Sequence, residues 1–208
     1  MRKQWCHSLT IIGTVLSRRE VCRMSSQRWL IQGVEAVGYC EILRISDHSC
    51  SLMSIHNYLI DHNGFDWPSL LREWAWFVPP SFTLWIMNRF GDLFIVMDDE
   101  SVWMLDIGGG ELTRVADNRE EFRNKIDEGD NANKWLMIPL IDQLVARGVS
   151  LDDGQCYSYK LPPVLGGDYT VDNTIVLSIA SHYTAYGSIH SQIKDVPDGT
   201  QVVLKVKM

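Results

Sequence analysis

From Met53 onward the apolar positions of the chain fall into short regular patterns, each bounded by a turn or helix signal. Ile55, Tyr58 and Leu59 share a helical face that stops at Asn63-Gly64, a helix-ending pair. Trp67-Pro68 opens a second turn of helix carrying Leu70, Leu71 and Trp74, which Pro79-Pro80 closes. Leu93 to Met97 and Val102 to Ile107 are apolar runs parted by Asp98-Asp99-Glu100-Ser101. Gly108-Gly109-Gly110 separates the second run from Leu112 to Val115, and together these predict a three-stranded antiparallel meander.

Asp117 followed by Glu120 reads as a capping box that starts a helix, with Phe122 and Ile126 on one face and Gly129 near its end. Residues 133–148 place Leu136, Leu140, Ile141, Leu144 and Val145 on one stripe, with Gly148 as the stop. Pro139 must lie in the first turn of that helix or kink it, because it lacks the amide hydrogen a helix interior needs. Residues 155–163, 173–179 and 202–206 read as strands. Ile179, Tyr183, Tyr186, Ile189 and Ile193 mark a helix between the last two. The order predicts an α+β fold in which helices cover a mainly antiparallel sheet, built from the N-terminal three-stranded meander and the later strands.

Residues 1–52 are different material. They show no sustained helical or strand period, and Lys/Arg outnumber Asp/Glu seven to four there, against 12 to 22 in the rest of the chain. Cys6, Cys22, Cys40 and Cys50 fit neither a zinc pattern nor a CxxC redox pair. A secretory signal is disfavoured: polar residues interrupt the apolar stretch Leu9 to Leu16, and Ser17-Arg18-Arg19-Glu20 stands where a small-residue cleavage site belongs. The expectation is a non-native or disordered extension over 1–52, with Met53 as the physiological start and residues 53–208 as a single domain with a short helical lead-in. The competing reading is a small helical appendage whose best ordered piece is "VEAVGYCEILRI".

The net charge of −7 and pI near 5.3 argue against a nucleic-acid binder, which needs a basic face for the phosphates, and favour a basic protein partner. No window is long and apolar enough for a membrane-spanning helix, and no membrane partner is expected. The candidate contact groups are the acids of three predicted turns: Asp98, Asp99 and Glu100; Asp127, Glu128 and Asp130; and Asp152 with Asp153. Solvated turns explain the same acids without any partner.

Other chemistry is thin. Trp67, Trp74, Trp76, Trp85 and Trp103 fall close together and offer stacking faces, but indoles at helix and strand spacing beside Leu, Phe and Ile read as core. The triple glycine lacks the Lys-Ser/Thr of a phosphate loop. "LPPVLGGDYTVDN" (161–173) holds Asp168 and Asp172 without calcium-loop spacing and reads as a folded connection. Cys156 with His182 or His190 could make a nucleophile and base, but a lone Cys on a strand reads first as a small buried hydrophobe. No enzyme, cofactor or metal is expected.

"NRFGDLF", "VWMLDIGGGEL", "WLMIPLIDQLVARGVSLDDGQCYSYKLPPVLGGDYTVDN" and "HYTAYGSIHSQIKDVPDGT" together resemble the C-terminal domain of type VI secretion DNase-immunity proteins, over roughly residues 82–206. The resemblance is carried by Gly91-Asp92, Leu105-Asp106, Gly108, Gly154-Gln155-Cys156, Pro162 to Gly167, Asp172-Asn173, His182, Ile189-His190 and Gln192. It implies a cytoplasmic α+β binding protein that neutralises a toxic nuclease by contact, without catalysis of its own. A departure is that "WPSLLREWAW" is only a brief lead-in where such proteins often carry a larger N-terminal domain. The alternative is an interaction or regulatory module built on the same domain.

Overall fold

The structure is a computed structural model and describes residues 8–15 and 55–207. In chain order the elements are β1 (Ser8–Thr14), α1 (Trp67–Leu70), β2 (Thr83–Met87), β3 (Leu93–Val96), β4 (Val102–Asp106), β5 (Glu111–Ala116), α2 (Arg119–Ile126), α3 (Asn131–Trp135), α4 (Ile138–Ala146), β6 (Gln155–Tyr159), β7 (Thr174–Ser178), α5 (Ile179–Ile193) and β8 (Gln201–Lys207). Single 3-10 turns at Ile55–Tyr58, Arg72–Trp74 and Pro163–Leu165 join them. The fold is α+β with antiparallel strands throughout, as the pattern predicts.

The meander has a fourth strand, and the sheet runs β2-β3-β4-β5. The predicted three strands lacked β2 because "TLWIM" does not alternate: Leu84, Trp85, Ile86 and Met87 are all buried, and a register shift between Leu84 and Ile86 breaks its pairing with β3. The later strands pair apart from this sheet, as β6-β7 and β1-β8 ribbons. Residues 8–15 are the described part of the interval 1–52. Ser8–Thr14 runs antiparallel to Gln201–Lys207, and Val15 is buried. Met53 and the "VEAVGYCEILRI" segment lie outside the described residues.

Two helix boundaries shift for physical reasons. The cap of α2 is Asn118, one residue after the expected Asp117: its side chain accepts from the Glu121 amide, and Glu121 reaches back to the Asp117 amide. The stripe expected as one helix over 133–148 is two. Met137, at φ 56, breaks α3 from α4, and Pro139 takes its place in the first turn of α4. Leu136, Leu140, Ile141 and Leu144 are buried, whereas Val145, expected on the stripe, is 50% exposed.

The fifteen-residue α5 is the central strut, and its predicted face Ile179, Tyr183, Tyr186, Ile189 and Ile193 is buried throughout. Trp74 of the lead-in donates its indole N–H to the Tyr183 carbonyl at 3.0 Å, and Tyr183 donates its hydroxyl to the Gly91 carbonyl at 2.5 Å. His190 Nε2 lies 3.0 Å from the Ile107 carbonyl, so one helix holds the lead-in and both the β2–β3 and β4–β5 connections of the meander. The triple glycine is a turn after β4. Gly110 sits at φ 70, and a Cβ there would come within 2.3 Å of the His190 ring, so only glycine lets the turn pass over α5. The tryptophans follow the core reading: Trp67, Trp74 and Trp85 are buried, and Trp76 and Trp103 are half-buried.

Candidate functional site

The acidic turns lie where the sequence places them, and all of their carboxylates are exposed. Asp98, Asp99 and Glu100 form the β3–β4 turn, closed by the Glu100 amide on the Met97 carbonyl, with Glu100 at φ 67. Ser81 donates to Asp98 at 3.1 Å, while the Ser101 hydroxyl and amide hold the Asp99 carboxyl below its ordinary value. Asp127, Glu128 and Asp130 span the α2–α3 junction. Asp130 accepts from Asn133 at 2.7 Å, with the Lys134 ammonium 4.0 Å away. Asp152 and Asp153 precede β6, and Gln155 Oε1 accepts from the Asp152 amide at 2.9 Å. Apart from Asp130, none of these acids is in an ion pair among the described residues. The structure does not join the three turns to one another by any hydrogen bond or ion pair between described residues.

It does assemble a site that the charge pattern did not single out. A cleft of about 400 Å³ opens between the ends of β3 and β4, the α3–α4 break, the end of β6 and the 161–173 loop, lined by Asp92, Met104, Asp106, Gly108, Asn133, Lys134, Met137, Pro139, Leu140, Tyr159 and Tyr169. Asp92 is fixed by a tight turn. Asn88 Oδ1 accepts from the Phe90 and Asp92 amides, and Asn88 Nδ2 donates to Asp92 Oδ2 at 2.8 Å and to the Trp135 carbonyl at 3.0 Å. The other oxygen of Asp92 accepts from the Ile107 amide at 2.9 Å, and Asp106 accepts from the Gly109 amide at 2.8 Å.

The 161–173 loop is both a folded connection and a wall of this cleft. Asn173 ties it across its base: Oδ1 accepts from the Leu161 amide, and Nδ2 donates to the Leu161 and Asp168 carbonyls at 2.9 and 2.8 Å. Asp172 is held by Arg147 at 2.8 Å. The loop presents Tyr169, half of whose surface stays open, edge-on to Tyr159 with ring centroids 5.4 Å apart. Tyr159 in turn stacks on Phe90 at 5.1 Å.

Burial, and then the neighbouring Asp106 charge, push the Asp92 carboxyl up to about 7. Burial also raises Asp106, against the lowering effect of the Gly109 amide. The signal available in the sequence was an acid inside or ending an apolar run, in "GDLF" and "WMLDIGGG", since an acid is seldom buried without a reason. The Cys156 reading resolves toward core. The thiol is buried and burial raises its pKa, which suppresses the thiolate, while burial lowers His182 to about 3 with Nδ1 3.0 Å from the Ser158 hydroxyl. Among the described residues no group of three or more His, Cys, Asp or Glu could hold a metal ion, and no helix is long and apolar enough to cross a membrane.

The carboxylate pair has a pH signature. A carboxyl raised in the folded state favours folding below its unfolded value, and that contribution is lost as pH rises through the folded value. His182 acts in the opposite sense, its contribution falling as pH drops below 6.5, so wild-type stability is the sum of opposed slopes. Asp106→Asn removes both the desolvation of that carboxylate and its repulsion of Asp92, while an amide oxygen still accepts from Gly109. The variant is expected to gain stability relative to wild type as pH rises from 4.5 to 8, because the raised carboxyl it lacks costs wild type most where it must ionise. Urea unfolding at the two pH values measures it, and a stability difference between variant and wild type that is the same at both would refute the raised Asp106 carboxyl.

These features define a small α+β class of protein: an α5-centred scaffold with exposed acidic turns and an acidic, aromatic-walled cleft. Residues 116–190 match the family described as T6SS immunity protein Tdi1, C-terminal. This is the family the sequence motifs resemble, matched over α2 to α5 rather than over roughly 82–206. No curated protein and no solved structure gives a significant match. Asp127, Glu128, Asp130, Asp152 and Asp153 fall inside the matched region, as do Tyr159 and Tyr169. Asp92, Asp106 and the Asp98–Glu100 turn fall before it.

Proposed function

We propose that this protein binds a cognate toxic effector, a nuclease with a basic face, and neutralises it by protein–protein contact in the cytoplasm, without catalysis of its own. The observation that carries the reading is the similarity of residues 116–190 to a type VI secretion immunity domain. Charge supports the choice of a basic partner: the chain carries −7, and most of its turn acids are exposed without an ion-pair partner among the described residues. A nuclease grips phosphates with basic residues, and an acidic surface laid over them competes with the nucleic acid for the same field.

The test is co-expression with the effector encoded beside its gene. The chain is expected to restore growth and to co-purify with the effector; an effector that remains toxic and unbound removes the reading. A partner that binds but is not a toxin would make the chain an interaction or regulatory module instead. If the acidic turns steer encounter, the association rate falls several-fold as salt is raised toward physiological strength, where the Debye length is about 8 Å, and dissociation changes less. Asp98→Asn, Asp99→Asn and Glu100→Gln combined are expected to slow association several-fold while leaving the melting temperature within about 2 °C of wild type, because exposed turn positions contribute little burial. Stopped-flow or surface-based kinetics measure this. An association rate flat with salt, or unchanged in the triple variant, would assign recognition elsewhere.

A further inference from the structure

We propose that the cleft between the meander and the 161–173 loop is a receptor for one arginine side chain presented by a protein partner. The inference rests on the partner-binding reading above and gives it a specific chemistry. The floor of the cleft is two neighbouring carboxylates, Asp92 and Asp106, neither of which is in an ion pair with any described Lys, Arg or His. Two neighbouring acids, Asp92 buried and Asp106 partly buried, repel each other, and a cation placed beside them offsets that cost and gains charge-assisted hydrogen bonds. Glu111, opposite Asp106 in the β4–β5 register, adds a further negative charge nearby.

The walls select the kind of cation. Tyr169, half exposed, offers a planar cation an aromatic face to stack on, Tyr159 backs it edge to face at 5.4 Å, and Met104, Met137 and Leu140 supply apolar surface for a methylene stem. Guanidinium, planar and forked, suits two adjacent carboxylates beside an aromatic face better than the compact, strongly hydrated ammonium of lysine. A volume of about 400 Å³ accepts an arginine side chain together with part of its flanking backbone. The cleft is also built in advance. Asn88 and Ile107 lock Asp92, Gly109 locks Asp106, and Asn173 locks the loop that carries Tyr169, so little ordering is left for binding to supply.

Positive groups at the site are few. Lys134 lies at the mouth and is drawn toward Asp130, 4.0 Å away. The first turn of α4 offers few free amides to an anion: Pro139 has none, and Leu140 and Ile141 donate theirs to the Met137 carbonyl.

The experiment has two arms. In the first, the full chain is labelled with ¹⁵N and titrated with the blocked peptide acetyl-Gly-Arg-Gly-amide, alongside the same peptide carrying neutral citrulline. The arginine peptide is expected to shift the amides of Asp106, Gly108, Gly109 and Tyr169 saturably, and the citrulline peptide to bind at least tenfold more weakly. Asp106→Asn is expected to lose at least tenfold in peptide affinity and Tyr169→Ala several-fold, and unfolding is no explanation for the first because that variant is expected to fold at least as well as wild type at pH 8. No saturable shift at the cleft, or equal shifts from the two peptides, overturns the inference. In the second arm the co-purified effector is bound by wild type and by Asp106→Asn/Tyr169→Ala. An affinity loss of tenfold or more, carried mainly by faster dissociation, supports the cleft. Undiminished affinity overturns it while leaving neutralisation by contact intact. An effector that binds neither form overturns the neutralisation reading, and the peptide arm still decides the cleft.

Discussion

Trp74→Ala is expected to destabilise the folded domain by about 3–5 kcal/mol, the range for removing a large aromatic from a core. The side chain is fully buried, and its indole N–H donates to the Tyr183 carbonyl in the middle of α5. Its ring also lies 5.2 Å from His190 and 6.2 Å from Phe77. Alanine leaves a cavity among these groups and strips a carbonyl of one partner, and Gly187, whose missing side chain admits the indole and Glu73, cannot move in to fill it. Trp74 precedes the region matched to the immunity family, so the experiment also asks whether the lead-in is integral to the fold. Chemical denaturation should show one cooperative transition at a lower midpoint with an unchanged slope. A cost below about 1 kcal/mol would mean that the lead-in is an accessory segment resting on the domain.

Gly167→Ala is expected to be the more damaging of two adjacent substitutions in the 161–173 loop. A Cβ at 167 would lie 1.8 Å from the Leu161 carbonyl oxygen and 2.9 Å from Asn173 Nδ2, so the chain must open at the point where Asn173 ties the loop together. Three hydrogen bonds from the Asn173 side chain depend on that closure. A cost on the order of 3 kcal/mol follows, together with displacement of Tyr169 from the cleft. Gly166→Ala is the control. Its φ of 90° strains an alanine, but nothing lies within 4 Å of the new Cβ, and the cost should stay near 1–2 kcal/mol. The reverse ranking, read from denaturation midpoints, would mean that backbone conformation rather than steric closure sets this loop.

Much of this architecture was legible in the pattern of residues. The face of α5 follows from a 3.6-residue period over fifteen residues, long enough to be unambiguous, and β3 and β4 from apolar runs cut by acids and glycines. Elements whose cues are tertiary were missed or shifted. β2 shows no alternation because both its faces are covered, the cap of α2 moved to the neighbouring Asn118, and the α3–α4 break hangs on the left-handed Met137. The acidic turns were legible because exposure follows from composition and local turn chemistry.

The cleft was not, since its walls come from segments as far apart as Asp92 and Tyr169, and nothing local to either states that they meet. The sequence by itself determined the α+β class, the central helix, the exposed acids, the net charge of −7 and the resemblance that the match at 116–190 bears out, because each depends on periodicity, composition or the order of motifs along the chain. Only the tertiary structure decided that Asp92 and Asp106 share one cleft beneath Tyr159 and Tyr169, and that Ser8–Thr14 pairs with Gln201–Lys207. Contacts between residues distant in sequence are fixed by packing and register, which arise only when the whole chain folds.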